Sequence, residues 1–217
     1  MAYLAPSGRA LRQGDLLGGV RVFLPTTFGI DDQPTGMVRE FSYSVIVTQD
    51  CDLEQDFKAR FSESVSPDKL LFGVLLCGVY EEDKVRTGTH RPEAQKFSSR
   101  EFKSVEQNQD PRYEYLGFVP NVGKKLVADF KDFFMTSCDF LYSEVDGNTV
   151  IRLAEMETPY REHVQQRFAW YLMRVGLPVD FHRLPEGVAL TAPERAPTVK
   201  TLASAAMAMG GSDDKPK

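Results

Sequence analysis

The run Leu70-Leu71-Phe72-Gly73-Val74-Leu75-Leu76-Cys77-Gly78-Val79-Tyr80 constrains the fold more than any other stretch of the chain. It carries no charge and has no polar face. It is about half the ~20 residues that a membrane-spanning helix needs. A short run that is apolar on both sides fits a strand covered on both sides. The fold must therefore hold this strand centrally and supply a layer for each face. Cys77 inside it reads as a small buried hydrophobe.

A second strand follows from alternation. Phe41, Tyr43, Val45 and Val47 fall on one face of Val38 to Thr48, and Glu40, Ser42, Ser44 and Thr48 fall on the other. Period two is the pattern of a half-buried strand. Before it, Leu16 to Leu24 reads as a strand bent at Gly18-Gly19. Residues 25–37, with two prolines, two glycines and Asp31-Asp32, read as a loop. Further strands are expected at Arg112 to Val119 and Lys125 to Phe130. Asp146-Gly147-Asn148 reads as a hairpin turn joining Phe140-Leu141-Tyr142 to Val150-Ile151-Arg152-Leu153.

Helices are fewer. Asp52 is placed to cap a short helix that runs to about Phe61, with Phe57 and Phe61 four apart on one side. Residues 81–111 are polar apart from Val85, Phe97, Phe102 and Val105. They read as an insertion with a helix over Ser98 to Gln107. The last element is a helix capped by Thr158 with Pro159 at its first position. Val164, Phe168, Tyr171, Leu172 and Val175 form its apolar stripe, and Gly176 and Pro178 end it. The fold expected is mainly β: an SH3-like or related small β-barrel with the 81–111 insertion and a C-terminal helix. Residues 1–190 are expected to form one domain, and 191–217, rich in alanine, glycine and charge, a disordered tail.

The chemistry concentrates where Val45-Ile46-Val47 runs into Thr48-Gln49-Asp50-Cys51-Asp52-Leu53-Glu54. A thiol stands between two carboxylates, and adjacent charges must be solvated or paired. Three readings follow. Catalysis by Cys51 needs a thiolate, which Asp50 and Asp52 disfavour, and no histidine lies nearby in sequence. Metal binding, the second, takes two forms, and a zinc site from Cys51, Cys77, Cys138 and His90 lacks the usual close ligand pair. An oxygen site from Asp50, Asp52 and Glu54 lacks the glycine-turned loop of a calcium motif. The third reading is structural: Gln49, Asp50 and Asp52 satisfy backbone groups at a strand end. Cys51 then continues the odd-numbered apolar series and points inward, leaving Asp50 and Asp52 outward.

Two basic features stand apart from this stretch. Arg161, Arg167 and Arg174 recur at spacings that bring them near one side of the final helix, close to Tyr160 and Trp170. They suit a phosphate or an acidic partner, or a solvated helix face. Arg86-Thr87-Gly88-Thr89-His90-Arg91, flanked by Lys84 and Lys96, is the most basic loop and reads equally as a mobile solvated loop or a nucleic-acid contact. His163 reads as neutral packing at the edge of the apolar stripe.

Composition sets the outer limits. The chain has 217 residues, 42% hydrophobic and 26% charged, with 26 basic against 31 acidic residues for a net charge of −5. That balance does not favour wholesale nucleic-acid binding. Met1-Ala2-Tyr3-Leu4-Ala5-Pro6 lacks a signal peptide's charged start, and three cysteines without a close pair point to a reducing compartment. A cytoplasmic protein that does not enter a membrane is expected.

Two resemblances add to this. The Gly14-Asp15 start, a loop, and then Val45-Ile46-Val47-Thr48 resemble the small SH3-like barrel of the MazF/PemK toxin family. In that family an Arg-Pro arginine and a Ser or Thr hydroxyl carry RNA cleavage. Thr48 matches the hydroxyl position, while Tyr43-Ser44 precedes the strand in place of Arg-Pro. Thr48-Gln49-Asp50-Cys51-Asp52-Leu53, together with Phe168 to Arg174-Val175-Gly176-Leu177-Pro178, is similar to a family of uncharacterised bacterial proteins. That similarity implies a bacterial source and a shared fold.

The expected function is a non-enzymatic bacterial binding or regulatory module with a protein partner, in a toxin-related or phage-defence assembly. The alternative is a divergent MazF-like endoribonuclease, or a metal-dependent hydrolase centred on Asp50, Cys51 and Asp52. No cofactor, metal ligand or catalytic residue is assigned. Thr48, Gln49, Asp50, Cys51, Asp52, Glu54, Arg161, Arg167 and Arg174 are the candidate binding residues, and the oligomeric state is left open.

Overall fold

The computed structural model describes residues 2–28, 34–61 and 66–174. Among these, nine strands and five α-helices form. The strands are β1 (Tyr3–Leu4), β2 (Leu16–Gly18), β3 (Val20–Phe28), β4 (Pro34–Phe41), β5 (Tyr43–Ile46), β6 (Gly73–Glu81), β7 (Tyr113–Val119), β8 (Lys124–Ser137) and β9 (Ile151–Met156). The helices are α1 (Asp50–Phe61), α2 (Glu82–Thr87), α3 (Ser99–Glu106), α4 (Cys138–Asp146) and α5 (Tyr160–Leu172).

Gly73 to Tyr80 of the apolar run become β6, with β5 on one side and β8 on the other, whereas Leu70 to Phe72 precede the strand and Phe72 is 84% exposed. Around β6 lies an antiparallel seven-stranded sheet in the order β1-β9-β2-β5-β6-β8-β7. The sheet curls until its two edge strands meet: the Tyr3 hydroxyl of β1 donates to the Leu116 carbonyl of β7 at 2.7 Å. The fold is thus mainly β, a nearly closed barrel-like sheet with helical additions.

Both faces of β6 are covered, as its composition requires. Inside the curl, Leu16, Val45, Cys77, Val79, Leu126, Ala128, Phe130 and Met156 pack together, with Val164 and Phe168 of α5 against them. Outside, Leu17, Ile46, Val74 and Leu76 meet Leu53 of α1 and Cys138, Leu141 and Tyr142 of α4. A third cluster joins Val85, Phe102 and Val105 of α2 and α3 to Tyr113 and Val127. These are the few apolar anchors of residues 81–111. The α3 helix falls where expected. Ser98 accepts from the Glu101 N–H while the Glu101 carboxylate accepts from the Ser98 N–H, a capping box.

Several expectations are corrected. Residues 25–37 are not simply a loop: β3 runs to Phe28 and β4 begins at Pro34, forming a separate two-stranded hairpin. Pro25 is tolerated because the register shifts beside it. The strand over Val38 to Thr48 is broken at Ser42, so β4 belongs to the hairpin and β5 to the barrel. The expected strand and turn over residues 140–148 form α4 instead. The Ser137 hydroxyl caps its start and Gly147 ends it; the same small and polar residue types that make turns also stop helices. Pro159, not Thr158, is the N-cap of α5. Val175, Gly176, Pro178 and the expected tail over 191–217 lie outside the described residues.

Candidate functional site

The 48–54 stretch sits where β5 hands over to α1. The Val47 N–H donates to the Leu75 carbonyl at 2.9 Å, which extends the β5–β6 ladder by one residue. The Thr48 hydroxyl then accepts from the Leu75 N–H at 2.7 Å. That oxygen replaces a ladder partner at the point where the strand stops.

Asp50 is the first residue of α1 and the centre of a knot. Its carboxylate accepts from Arg12 Nε at 2.8 Å and Nη2 at 2.6 Å, and from the Gln13 N–H at 3.2 Å. Gln13 completes the tie, accepting from the Asp50 N–H at 3.0 Å and donating to the Arg161 carbonyl at 2.7 Å. Arg161 Nη1 lies 3.5 Å from Asp50. The Arg12 guanidinium holds the Asp50 carboxyl below its usual range. Nearby, Arg152 reaches Asp15 at 2.9 Å, yet burial raises that carboxyl to about 6. Thus Asp50 joins the segment before β2, α1 and the start of α5.

Cys51 does not point inward. It is exposed, with its thiol 3.7 Å from both Gln49 Oε1 and Asp52 Oδ1. The reason is the change of period. Helical backbone from Asp50 onward turns each side chain by about 100° instead of 180°, so the odd-numbered inward series ends at Val47. Gln49, Asp52 and Glu54 are also exposed, Glu54 beside Lys58. Of the candidate residues, only Thr48, Asp50 and Arg161 turn toward internal partners here.

Arg167 and Arg174 lie elsewhere. Arg167 pairs with the buried Glu114 and donates to the Asn108, Asp110 and Tyr113 carbonyls, the last two at 2.7 and 2.8 Å. Burial raises the Glu114 carboxyl even with Arg167 and His163 beside it. His163 Nδ1 is 3.3 Å from Glu114 Oε1, so this ring, half exposed, touches a carboxylate and is not simple apolar packing. Arg174 lies over Tyr171, 5.9 Å from the ring centroid.

The densest polar constellation is one that sequence reasoning missed. In the β6–β8 pairing, the four residues Asp129 to Asp132 stand opposite the single residue Gly78. This bulge aims two carboxylates out of the alternation, as bulges do. Asp132 accepts from Arg39 Nη1 at 2.9 Å and Nη2 at 2.6 Å and from the Tyr80 hydroxyl. Asp129 accepts from Arg112 Nε at 2.7 Å and Nη2 at 2.6 Å, with Arg91 Nη1 at 3.5 Å and His90 Nε2 at 3.6 Å. Burial still opposes the Asp129 charge, but Arg112 and His90 overcome it and bring the carboxyl to about 2. Burial, with Asp129 and Asp132 near, pushes the Cys77 thiol well up. A Cβ at Gly78 would sit 2.9 Å from Asp132 Oδ2, so a larger residue there would have to displace that carboxylate. A 240 Å³ cavity beside the bulge is lined by Arg39, Tyr43, Tyr80, Lys84, Thr89 and His90 among others. Within the basic stretch 86–91 only the His90 side chain is fully covered, its Nδ1 3.3 Å from the Lys84 carbonyl, while Arg86, Thr87 and Thr89 are exposed.

No family model, curated protein or solved structure matches this chain.

Among the described residues, no group of three or more His, Cys, Asp or Glu side chains converges to hold a metal ion. Cys51 lies on the surface, Cys77 inside the barrel, and Cys138 in the outer layer, 3.3 Å from Asp56. Asp129 and Asp132 accept from fixed internal donors, while His90 Nε2 and Arg91 Nη1 approach Asp129 only at 3.6 and 3.5 Å. Both His90 nitrogens face protein oxygens, and Tyr80 points into Asp132.

A different surface is open. Phe23, Val38, Met135 and Phe140 are 49%, 65%, 54% and 44% exposed, although each is a large apolar side chain. With Val22, Arg21, Thr136 and Ser137 they line a 440 Å³ cleft between the β3–β4 hairpin, the end of β8 and α4. Neither hairpin strand pairs with any other described strand. Beyond Asp129, β8 ladders only with β6. The walls of the cleft thus include strands with an unpaired edge.

Proposed function

We propose that this protein is a non-enzymatic binding module of the bacterial cytoplasm, which takes a protein partner in the cleft under the β3–β4 hairpin. The observation that carries this reading is the exposure of Phe23, Val38, Met135 and Phe140 around one 440 Å³ cleft. Single exposed hydrophobes are ordinary, whereas a contiguous group marks an interaction surface. The flanking strand edges suit a partner segment in extended conformation. Its backbone would add to an edge while alternate apolar side chains fill the cleft. The barrel resemblance suggests a toxin-related or phage-defence assembly as the setting.

The binding reading is also supported by the way polar groups are spent. The Thr48 hydroxyl, which matches the toxin family's reactive position, accepts from the Leu75 N–H. Asp50 is held by Arg12 and Gln13. A general base needs a free lone pair within reach of substrate.

The test is a photo-crosslinking residue placed at Val38 or at Met135 in the full chain, in bacterial cells. A discrete protein adduct from both positions, lost when Phe140→Glu is added, is expected. A crosslinker at the exposed Lys58 should give none. No adduct, or the same adducts from Lys58, would refute the assignment. In parallel, purified protein with mixed RNA, with and without chelator, should give no cleavage. Cleavage that disappears in Thr48→Ala would favour the nuclease alternative.

A further inference from the structure

At the C-terminal end of α5 a second pair of clefts opens, away from the hairpin. The first, 300 Å³, is lined by Gln109, Pro111, Arg167, Trp170, Tyr171 and Arg174. Trp170 is the single tryptophan of the chain, and 59% of it is exposed. Arg167 holds the loop around Pro111 through its bonds to the Asp110 and Tyr113 carbonyls, and Pro111 lines the same cleft as Trp170 and Tyr171. The result is a preformed notch with an aromatic side and a proline side.

The second cleft, 630 Å³, shares Pro111 and Arg174 with the first and continues past Lys96, Arg112 and Lys131. Its charges are unevenly engaged. Arg112 is committed to Asp129. Lys96, Lys131 and Arg174 have no carboxylate within ion-pair distance among the described residues, whereas most of the fold's other cations do. The cleft also carries three carboxylates, and hydrogen bonds from backbone N–H groups leave the charge of Glu101 and Asp110 in place. Glu101 accepts from the Ser98 N–H, Asp110 accepts from the Arg112 N–H, and Glu93 faces Arg91. An aromatic notch thus opens onto a groove where three cations without an ion pair stand among the three carboxylates. Stacking surface beside basic groups is the arrangement that holds a base and its phosphate.

We propose that these joined clefts bind a nucleotide, the base stacking on Trp170 against Pro111 and the phosphate reaching Lys131, Arg174 and Lys96. The ligand is a free nucleotide or one residue of a single strand, which share this chemistry. The site is independent of the protein partner proposed above.

Trp170 reports its own occupancy, since all tryptophan emission comes from it. The full chain is titrated at about 50 mM salt, where phosphate contacts are strong, with AMP, adenosine, inorganic phosphate and a short oligo(dA). Saturable quenching by AMP or by oligo(dA) is expected. Adenosine should bind at least about tenfold more weakly, and phosphate alone should compete without quenching. Quenching that is tighter for AMP than per base of oligo(dA) identifies the free nucleotide as the source, and the reverse identifies a strand. Lys131→Glu, at an exposed position, should weaken binding at least about tenfold with Trp170 emission intact, while Lys58→Glu should leave it unchanged. The proposal is overturned by no quenching up to ~10 mM nucleotide. It is equally overturned by adenosine binding as tightly as AMP, by poly-glutamate competing as well as AMP, or by unchanged affinity in Lys131→Glu.

Discussion

Asp129 offers the sharpest test of the bulge. It is fully buried, accepts two hydrogen bonds from Arg112, and has Arg91 and His90 within 3.6 Å. Its carboxyl is brought from the ordinary 3.8 to about 2. A folded-state value below the unfolded one means that the unfolded chain binds the proton first as pH falls. The stabilisation is therefore complete above about pH 4 and is lost as pH falls through about 2. At about 1.4 kcal/mol per tenfold change in proton affinity, a lowering of that size is worth on the order of 2 kcal/mol. Asp129→Asn removes this contribution and leaves two arginines facing a neutral amide. It should cost about 3–5 kcal/mol near neutral pH, as breaking one side of a buried pair does. The assay is urea unfolding of wild type and variant at pH 7, 5, 4, 3 and 2.5. The wild type should lose more stability than the variant between pH 4 and 2.5. Other carboxylates titrate equally in both chains, so the difference between them isolates Asp129. Parallel curves, or a variant as stable as the wild type at pH 7, would refute the argument that this ion cluster holds the bulge.

Phe168 is buried with its ring set edge-on to Phe130 and Phe133 at 5.6 and 5.7 Å, so Phe168→Ala should cost about 3–5 kcal/mol in urea unfolding. A loss under ~1 kcal/mol would mean that α5 does not seal the barrel interior. Cys51 should react with a thiol reagent in the native protein at close to the unfolded rate, while Cys77 and Cys138 stay protected. Cys51→Ser should change stability by less than ~0.5 kcal/mol, and a slow native reaction at Cys51 would contradict the exposed start of α1.

The elements that were legible are those whose signal is local. The two-sided apolar run of β6 requires a covered central strand wherever it occurs, and the Ser98-to-Glu101 spacing makes a capping box from four adjacent residues. Phe168 was legible as core because a stripe at helical spacing has to be buried against something. The errors came where one local signal serves two structures. Asp146-Gly147-Asn148 ends a helix as readily as it turns a hairpin, and only the packing of Leu141 and Tyr142 against β6 and α1 decides for the helix. Cys51 was misplaced by a single change of period, from strand to helix at Asp50.

The polar groups were the least legible, because their partners are far away in the chain. The sequence by itself determined that a covered β6 would be built, that residues 98–107 would turn helical, and that Asp50 and its neighbours would have to be paired or solvated. Only the tertiary structure decided that Arg12, 38 residues away, would take Asp50. It alone set four residues of β8 against Gly78, aiming Asp129 and Asp132 at arginines from three other segments. The physical reason is one of range. Secondary-structure preference acts over a few neighbouring residues, whereas charge pairing and a bulge's register depend on which strands the whole chain brings side by side.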